Sequence, residues 1–187
     1  MQCDMPISVA IPSLLATQLL AAEVYSHFLS LSSDLEAALW KKMLLDEMEH
    51  AEHLKNLLDL ELPRDLTVPY INVERVREMC EQVGMYCSET FLLRLEGALR
   101  LESAELDYGL EGFTAKKLCK SDLVPDYPGD VNEHVGFLLA EAERYSESPN
   151  IGLQIIRVKE ILDTSMAETA IYPSPDEEKT DVPHAPR

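Results

Sequence analysis

Apolar residues recur every three or four positions along most of this 187-residue chain, which is the spacing of one face of an α-helix. The pattern predicts long helices near 12–32, 34–61 and 88–118, and shorter helices near 72–84, near 132–147 and from about 150 onward. Short connections favour antiparallel neighbours. We therefore expect an all-α fold, an antiparallel four-helix bundle with an additional C-terminal helix, and no strand within 12–118.

Local signals set the expected ends of several elements. Ser33 and Glu36 have the spacing of a capping box, and Asn72 can cap the short helix that follows. The last stretch, 171–187, contains four prolines and few apolar residues. We therefore expect one helical domain over 1–170, followed by a disordered, acidic, proline-rich tail.

The stretch LLDEMEHAEHLKNLL, residues 44–58, places two polar side chains inside an apolar helical stripe. At about 100° per residue, Glu47 and His50 point in nearly the same direction as Met43 and Leu54. Burying a carboxylate without a partner costs several kcal/mol, so the core must compensate it. In helical bundles a metal ion held by Glu-x-x-His pairs and facing glutamates often does so. There are two alternatives. Glu47 and His50 can form a buried hydrogen-bonded pair, or the helix can be rotated so that both side chains reach water.

Polar residues of two other predicted helices can face Glu47. Gln18 lies at the centre of the first apolar stripe and about as far from the first turn as Glu47, so we expect the two to face each other. Glu23 lies roughly 140° away, on the outer side. Glu102 lies in the middle of the stripe of the third long helix, with Glu105 on its shoulder.

The fourth helix of the predicted bundle offers a weaker candidate. By distance from the connecting segment, the part of this helix around 143–147 should lie level with Glu102. This makes Glu143 a candidate, in a Glu-x-x-Ser run that ends at Ser146. Glu143 is, however, rotated off the apolar stripe. His134 stands beside Glu133 near the start of the helix, and we expect it in solvent or in packing.

Composition limits the partners and the location of the protein. The formal net charge of -18 disfavours nucleic acid and anionic membranes, because both would be repelled. We expect that no apolar run is long enough to span a membrane, and the chain begins without the basic region of a signal peptide. The four cysteines include no Cys-x-x-Cys pair, which favours reduced thiols over a zinc-ribbon site. These features predict a cytoplasmic protein.

One stretch carries a family resemblance. The residues LDEMEHAEHLKNLLDLELP closely resemble the second helix of bacterioferritins and rubrerythrins, members of the ferritin-like superfamily. The run from Glu102 to Glu105, followed by Tyr108, resembles the Glu-x-x-Glu of the third rubrerythrin helix. The resemblance covers residues 12–147 in helix order. It implies four inward carboxylates and two histidines that hold a non-haem di-iron site, which oxidises iron(II), reduces peroxide or activates oxygen.

The chain departs from this family pattern at two ligand positions. Gln18 corresponds to the first-helix glutamate, with Tyr25 at the usual tyrosine position seven residues later. Glu143 and Ser146 correspond best to the second Glu-x-x-His. One carboxylate and one imidazole are therefore missing from the implied ligand set. These residues include no rubredoxin motif either, so we do not expect the built-in electron donor of a rubrerythrin.

The candidate metal ligands are, in chain order, Gln18, Glu47, His50, Glu102, Glu105 and Glu143. Our first hypothesis is a metal-binding ferritin-like protein with a reduced, mononuclear site. In it Glu47, His50 and Glu102 bind non-haem iron or another divalent metal. Gln18 or Glu105 would assist them.

Two alternatives stand beside this hypothesis. One is an intact di-iron oxidoreductase, a ferroxidase or a peroxidase, whose missing ligands come from Glu105 and Glu143. The other is a metal-free ferritin-like scaffold that works by association. We expect a divalent metal ion as partner, together with further copies of the chain in a homo-oligomer, a dimer or larger.

Overall fold

Helices make up nearly all of the described chain. The computed structural model describes residues 4–59, 67–69, 72–86, 89–107 and 131–170. The helices are α1 Ile7–Ser30, α2 Asp34–Leu58, α3 Val73–Tyr86, α4 Phe91–Asp107, α5 Val131–Glu143 and α6 Pro149–Ala170. The all-α class is therefore confirmed at this level. The predicted tail at 171–187 and the predicted continuation of α4 to 118 lie outside the described residues.

Two three-residue strands form a small ribbon beside the helices. Strand β1, Asp4–Pro6, pairs antiparallel with strand β2, Thr67–Pro69, and Met5 lies opposite Val68. The expectation of no strand within 12–118 is therefore wrong at this point. Such a short strand has too few residues for a period-two pattern to be recognised, and its partner is distant in sequence. The ribbon joins the chain before α1 to the segment between α2 and α3.

Helix α1 begins five residues before its predicted start and contains Pro12 in its interior. A proline inside a helix leaves the carbonyl four residues earlier without its intrahelical partner. Here that carbonyl belongs to Ser8, and both Ser8 and Pro12 are exposed. Water can therefore satisfy the carbonyl, and the helix continues through the proline.

The two predicted caps have different outcomes. Asn72 caps α3, since the Arg75 N–H donates to Asn72 Oδ1 at 3.2 Å. Ser33 is the N-cap residue of α2, but its side chain makes no capping bond. The Glu36 side chain, which the capping box would have turned back to Ser33, pairs instead with Arg94 of α4. The expected local cap is replaced by a contact between two helices.

Packing of α1 against α2 builds the largest helix–helix contact. Helix α1 also packs against α3, α4 packs against α3 and α6, and α5 touches α2, α4 and α6. Tyr25, Phe28 and Trp40 are fully buried where α1 and α2 meet. Trp40 stacks on Tyr25 and meets Phe28 edge-on, with ring centroids 6.2 and 5.0 Å apart. These rings hold the α1–α2 hairpin together and orient its polar inner face.

By length and composition alone, α1 could cross a membrane, with a mean hydropathy of 1.6 over an 18-residue window. The expectation that no apolar run reaches that length is therefore wrong. Half of this window is buried inside the fold, and core helices pass the same test. The buried face of α1 carries Gln18 and Tyr25 into the protein core.

Gly152 and Gly136 form a matched pair that tests the junction between α5 and α6. A Cβ at Gly152 would lie 2.9 Å from the backbone oxygen of Ser146, whereas one at Gly136 meets nothing within 4 Å. Gly152→Ala should lower the free energy of unfolding by roughly 1–3 kcal/mol, because the backbone must shift. Gly136→Ala should raise it by about 0.5–1 kcal/mol, since alanine favours helices. Urea unfolding measures the free energy of unfolding of both variants. Equal changes would contradict the close approach of position 152 to the Ser146 backbone oxygen.

Candidate metal centre

Polar side chains from four helices meet inside the apolar core. Residues three or seven positions apart lie on one face of a helix, so each helix can direct two side chains to the same place. The contributors are Gln18 and Tyr25 of α1, Glu47 and His50 of α2, Glu102 and Glu105 of α4, and His134 of α5, none of them more than 4% exposed.

Glu47, Glu102 and His134 are the tightest part of this group, which we call the Glu–Glu–His cluster. His134 Nε2 lies 3.2 Å from Glu47 Oε1 and 3.2 Å from Glu102 Oε1. One potential ligand atom from each of the three residues lies within 4.8 Å of the other two. Two carboxylates and an imidazole at such separations can share one divalent metal ion.

The other ring nitrogen of His134 contacts Asp46. His134 Nδ1 lies 3.0 Å from Asp46 Oδ2, and Lys42 Nζ donates to the same oxygen at 2.9 Å. Asp46 therefore holds the imidazole ring so that Nε2 points towards the carboxylates of Glu47 and Glu102. A carboxylate behind a metal-binding histidine sets ring orientation and tautomer in the same way.

Gln18 links His50 to Glu105 on another side of the site. Its Oε1 lies 3.0 Å from His50 Nδ1, and its Nε2 donates to Glu105 Oε2 at 3.2 Å. A side-chain amide can accept from an imidazole N–H and donate to a carboxylate at once. His50 Nδ1 also lies 3.7 Å from Glu47 Oε2, which connects this chain of contacts to the Glu–Glu–His cluster.

The hydroxyl of Tyr25, in α1, donates a hydrogen bond to Glu102 Oε1. Burial raises the pKa of Tyr25 well above its usual value, and the negative charges of Glu102 and Glu47 raise it further. A phenolate beside two carboxylates would add a third negative charge at the same place. Tyr25 therefore stays protonated and serves as a hydrogen-bond donor.

His134 supplies the positive charge of the site. Burial alone would lower its pKa, but the charge of Glu102 and the hydrogen bond to Asp46 outweigh burial, and the pKa of His134 is raised well above its usual value. Burial also disfavours ionised Glu47, yet contacts with His134 and His50 hold the pKa of Glu47 below its usual value. A protonated His134 is thus the cation that compensates the buried carboxylates when no metal is bound.

This compensation leaves buried oxygens without a donor. Within the described parts of the chain, neither carboxylate oxygen of Glu47 accepts a hydrogen bond, and Glu102 Oε2 accepts none either. Most buried polar atoms have such a partner, and leaving one unpaired costs about 1–3 kcal/mol. One of the unpaired oxygens, Glu47 Oε1, is the atom that lies beside His134 Nε2. The donor set therefore fits a bound cation, which would occupy these lone pairs.

Cys80 of α3 is a buried free thiol. Burial raises the pKa of Cys80 above its usual value, and the charges of Glu105 and Glu47 add to the effect. The protonated thiol is a poor metal ligand. The other three cysteines lie outside the described residues.

Five of the six sequence candidates lie in this polar group, namely Gln18, Glu47, His50, Glu102 and Glu105. Gln18 contacts His50 and Glu105 directly rather than Glu47. Glu23, which we expected on the outer side of α1, is exposed.

Glu143 is the sequence candidate that the structure does not bring to the site. Its half-exposed carboxylate pairs with Lys159 of α6 at 2.6 Å. The depth estimate matched Glu102 with the end of the next helix. Glu102 instead contacts His134, in the first turn of α5.

His134 is the residue of the Glu–Glu–His cluster that sequence reasoning missed. We expected it in solvent or in packing, but its side chain is 2% exposed and lies between three carboxylates. One signal was present in the sequence: His134 stands four residues before Leu138, so the two share a helix face. Leu138 is fully buried, and the face that it defines carries His134 inward.

Comparison of the chain with protein-family models, with curated proteins and with solved structures finds no match. Fold and site together define the class of the protein, a helical protein with a buried carboxylate–histidine group. The ferritin-like relationship stays a prediction based on the residues of α2 and α4.

Replacing His134 tests its role as the compensating cation. In chelator-treated protein, His134→Ala should lower the free energy of unfolding by about 3–5 kcal/mol, because it leaves buried carboxylates without their nearest cation. His27→Ala, at an exposed position of α1, should change that free energy by less than about 0.5 kcal/mol. Guanidinium unfolding measures both variants. If the free energy of unfolding falls as little in His134→Ala as in His27→Ala, the result contradicts this role.

Proposed function

We propose that this chain is a ferritin-like metal-binding protein with iron as its metal. In this proposal α1, α2, α4 and α5 form an antiparallel four-helix bundle around one ion, and α6 is the additional C-terminal helix. Glu47, Glu102 and His134 are the ligands. Convergence of polar side chains from four helices supports the bundle, because metal sites in helical bundles are built in this way. The resemblance of α2 to bacterioferritins and rubrerythrins supports iron.

The Glu47 carboxylate is the observation that carries the proposal. A buried ion pair with a purely structural role normally directs N–H or O–H groups at the carboxylate oxygens. Glu47 is completely buried, and the contact of its Oε1 with His134 Nε2 at 3.2 Å lacks the geometry of a hydrogen bond, so within the described residues no well-aligned donor reaches either oxygen. A cation bound between Glu47 and Glu102 would fill this need, with His134 Nε2 as a third ligand.

The mixed donor set suits a first-row transition metal. Carboxylate oxygens alone favour magnesium, calcium or manganese, while an imidazole adds a preference for iron, zinc, copper or nickel. Asp46, hydrogen-bonded to His134 Nδ1, would orient the ring towards the ion. Bound iron would supply redox chemistry at this place. The residues of the chain would hold the ion, exclude bulk water and keep the Tyr25 hydroxyl on Glu102.

Gln18 favours one metal ion over two. Its amide already joins His50 to Glu105, the polar side chains that a second ion would need. A neutral amide oxygen is also a weaker ligand than a carboxylate. An intact di-iron centre has less support, because Glu143, one of the ligands it was expected to use, pairs with Lys159 at the surface.

A metal-free scaffold is the second candidate function. One observation favours it: His134 can itself provide the positive charge beside Glu47 and Glu102. Such a protein would act by association, through its acidic surface or its tail. The homo-oligomeric state and the cytoplasmic location stay predictions under both candidates.

Binding of the metal should stabilise the folded protein. Iron(II) added without oxygen should bind with one ion per chain and release protons from its ligands. At a free concentration of about one hundred times the Kd, the gain is about 2.7 kcal/mol, because the ion binds only the folded state. Inductively coupled plasma analysis gives the stoichiometry, and differential scanning calorimetry gives the shift in Tm. Manganese(II) and zinc(II) serve as comparison ions.

Charge-neutral variants identify the ligands. Glu47→Gln and Glu102→Gln keep the side-chain shape and should each abolish the metal-dependent shift in Tm. Glu143→Gln, at the surface, is the matched control and should keep the full shift. If the wild type and all three variants melt identically with and without each metal, the metal proposal fails and the scaffold candidate replaces it.

Placing a carboxylate at position 18 tests how many metal ions the site binds. Gln18→Glu would break the amide bridge and offer a stronger ligand beside His50 and Glu105, so this variant should bind two ions per chain where the wild type binds one. Glu23→Gln, on the exposed side of the same helix, should leave the number unchanged. Two ions in the wild type would instead support an intact dinuclear centre.

A further inference from the structure

Four side chains of α2 and α5 form a ring of contacts behind the Glu–Glu–His cluster, and we call this ring the Lys42 clamp. Lys42 and Asp46 are four positions apart in α2 and lie on one face of that helix. His134 and Phe137 are three positions apart in α5 and share a face in the same way. Asp46 contacts His134 Nδ1 at 3.0 Å, and Lys42 Nζ lies 5.4 Å from the centre of the Phe137 ring. The clamp therefore joins the two helices at two points.

The orientation of the Asp46 carboxylate depends on Lys42. Lys42 Nζ donates to Asp46 Oδ1 at 3.2 Å and to Asp46 Oδ2 at 2.9 Å, so it contacts both oxygens. Oδ2 is also the oxygen that faces His134 Nδ1. The Asp46 side chain is 19% exposed, which means that water can compete for the carboxylate. Without the ammonium group the carboxylate could turn towards water, and the His134 ring would lose its partner.

Phe137 in turn restricts Lys42. A lysine side chain has several rotatable bonds, and that of Lys42 is 34% exposed, so a single conformation needs a specific contact. The face of an aromatic ring attracts an ammonium group and supplies such a contact. Phe137 is 40% exposed, an unusual place for a phenyl ring that only fills space. Because Phe137 and His134 belong to one helix, the contact ties Lys42 to the element that carries the histidine.

The ordinary explanation is a lysine–aspartate pair on a helix surface. Pairs of this kind, four positions apart, contribute little to stability. Two observations set this pair apart. Asp46 Oδ2 is shared between Lys42 and a completely enclosed imidazole, and Lys42 contacts a second helix as well as its own.

We infer that Lys42 and Phe137 are positioning residues for metal binding. They act through Asp46, which holds the His134 ring with Nε2 towards the two carboxylates of the Glu–Glu–His cluster. This inference rests on the proposed function and adds to it two residues outside the ligand set. It also reverses the effect expected from charge alone. A lysine near a cation site repels the ion, so charge alone predicts that removing Lys42 tightens metal binding, whereas positioning predicts that it weakens metal binding.

Titration with iron(II) in the absence of oxygen measures the sign of this effect. Lys42→Met should raise the Kd about tenfold, at the lower end of the range for partners that contact a metal ligand directly. Lys42→Arg should keep the wild-type Kd, because a guanidinium group can bind a carboxylate and stack on a ring. Lys41→Met is the matched control: it removes the same charge at an exposed neighbouring position and should not raise the Kd.

Two further sets of variants test the path of the effect. If Lys42 acts through Asp46, Lys42→Met should add no further change to the Kd in a protein that already carries Asp46→Asn. Phe137→Leu should raise the Kd in the wild-type background, by less than Lys42→Met does. Phe137→Tyr keeps the ring face and should bind iron(II) like the wild type. Full additivity of the Lys42 and Asp46 variants overturns the path through Asp46.

Nuclear magnetic resonance of the metal-free protein tests the clamp without an ion. The Nδ1 proton of His134, hydrogen-bonded to Asp46, should exchange slowly with water in the wild type and in Lys41→Met, and faster in Lys42→Met. Unchanged or tighter iron(II) binding in Lys42→Met, or exchange as slow as in the wild type, overturns the positioning role. Failure of the wild type to bind iron(II) overturns the proposed function, and the exchange rate then still decides whether Lys42 holds the ring.

Discussion

Burial of negative charge in an apolar core is the constraint on which the site depends. Glu47, Glu102 and Glu105 are completely buried, and an uncompensated carboxylate in such a place would cost several kcal/mol. The fold meets this constraint by bringing one imidazole into contact with more than one acid. His134 faces Glu47 and Glu102 through Nε2 and Asp46 through Nδ1. A metal ion and a proton would compete for His134 Nε2. Metal binding would therefore replace the charge of the protonated imidazole by the charge of the ion.

Neutral donors complete the compensation at the edges of the site. Tyr25 gives a hydrogen bond to Glu102, and Gln18 gives one to Glu105 while it accepts one from His50. The amide therefore stabilises a carboxylate and an imidazole that would otherwise be available to a second ion. Gln18, His50 and Glu105 are therefore joined in one chain of hydrogen bonds at this edge.

The aromatic cluster joins this polar site to the rest of the fold. Trp40 stacks on Tyr25 and meets Phe28, so the same rings that pack α1 against α2 also fix the phenol at Glu102. Phe91 of α4 and Tyr145 after α5 extend the contact to two more elements. The packing of these elements therefore depends on one group of rings.

Local spacing in the sequence determined the helices and the inward direction of several polar residues. Glu47 with His50, and Glu102 with Glu105, are three positions apart, and helix geometry alone puts each pair on one face. Tertiary structure decided which faces meet. The contact of Glu102 with His134 joins residues 32 positions apart in the sequence, and the bridge from Gln18 needs three helices at once. Periodicity describes direction around one helix axis, whereas depth along neighbouring helices depends on packing and on connections that carry no periodic signal.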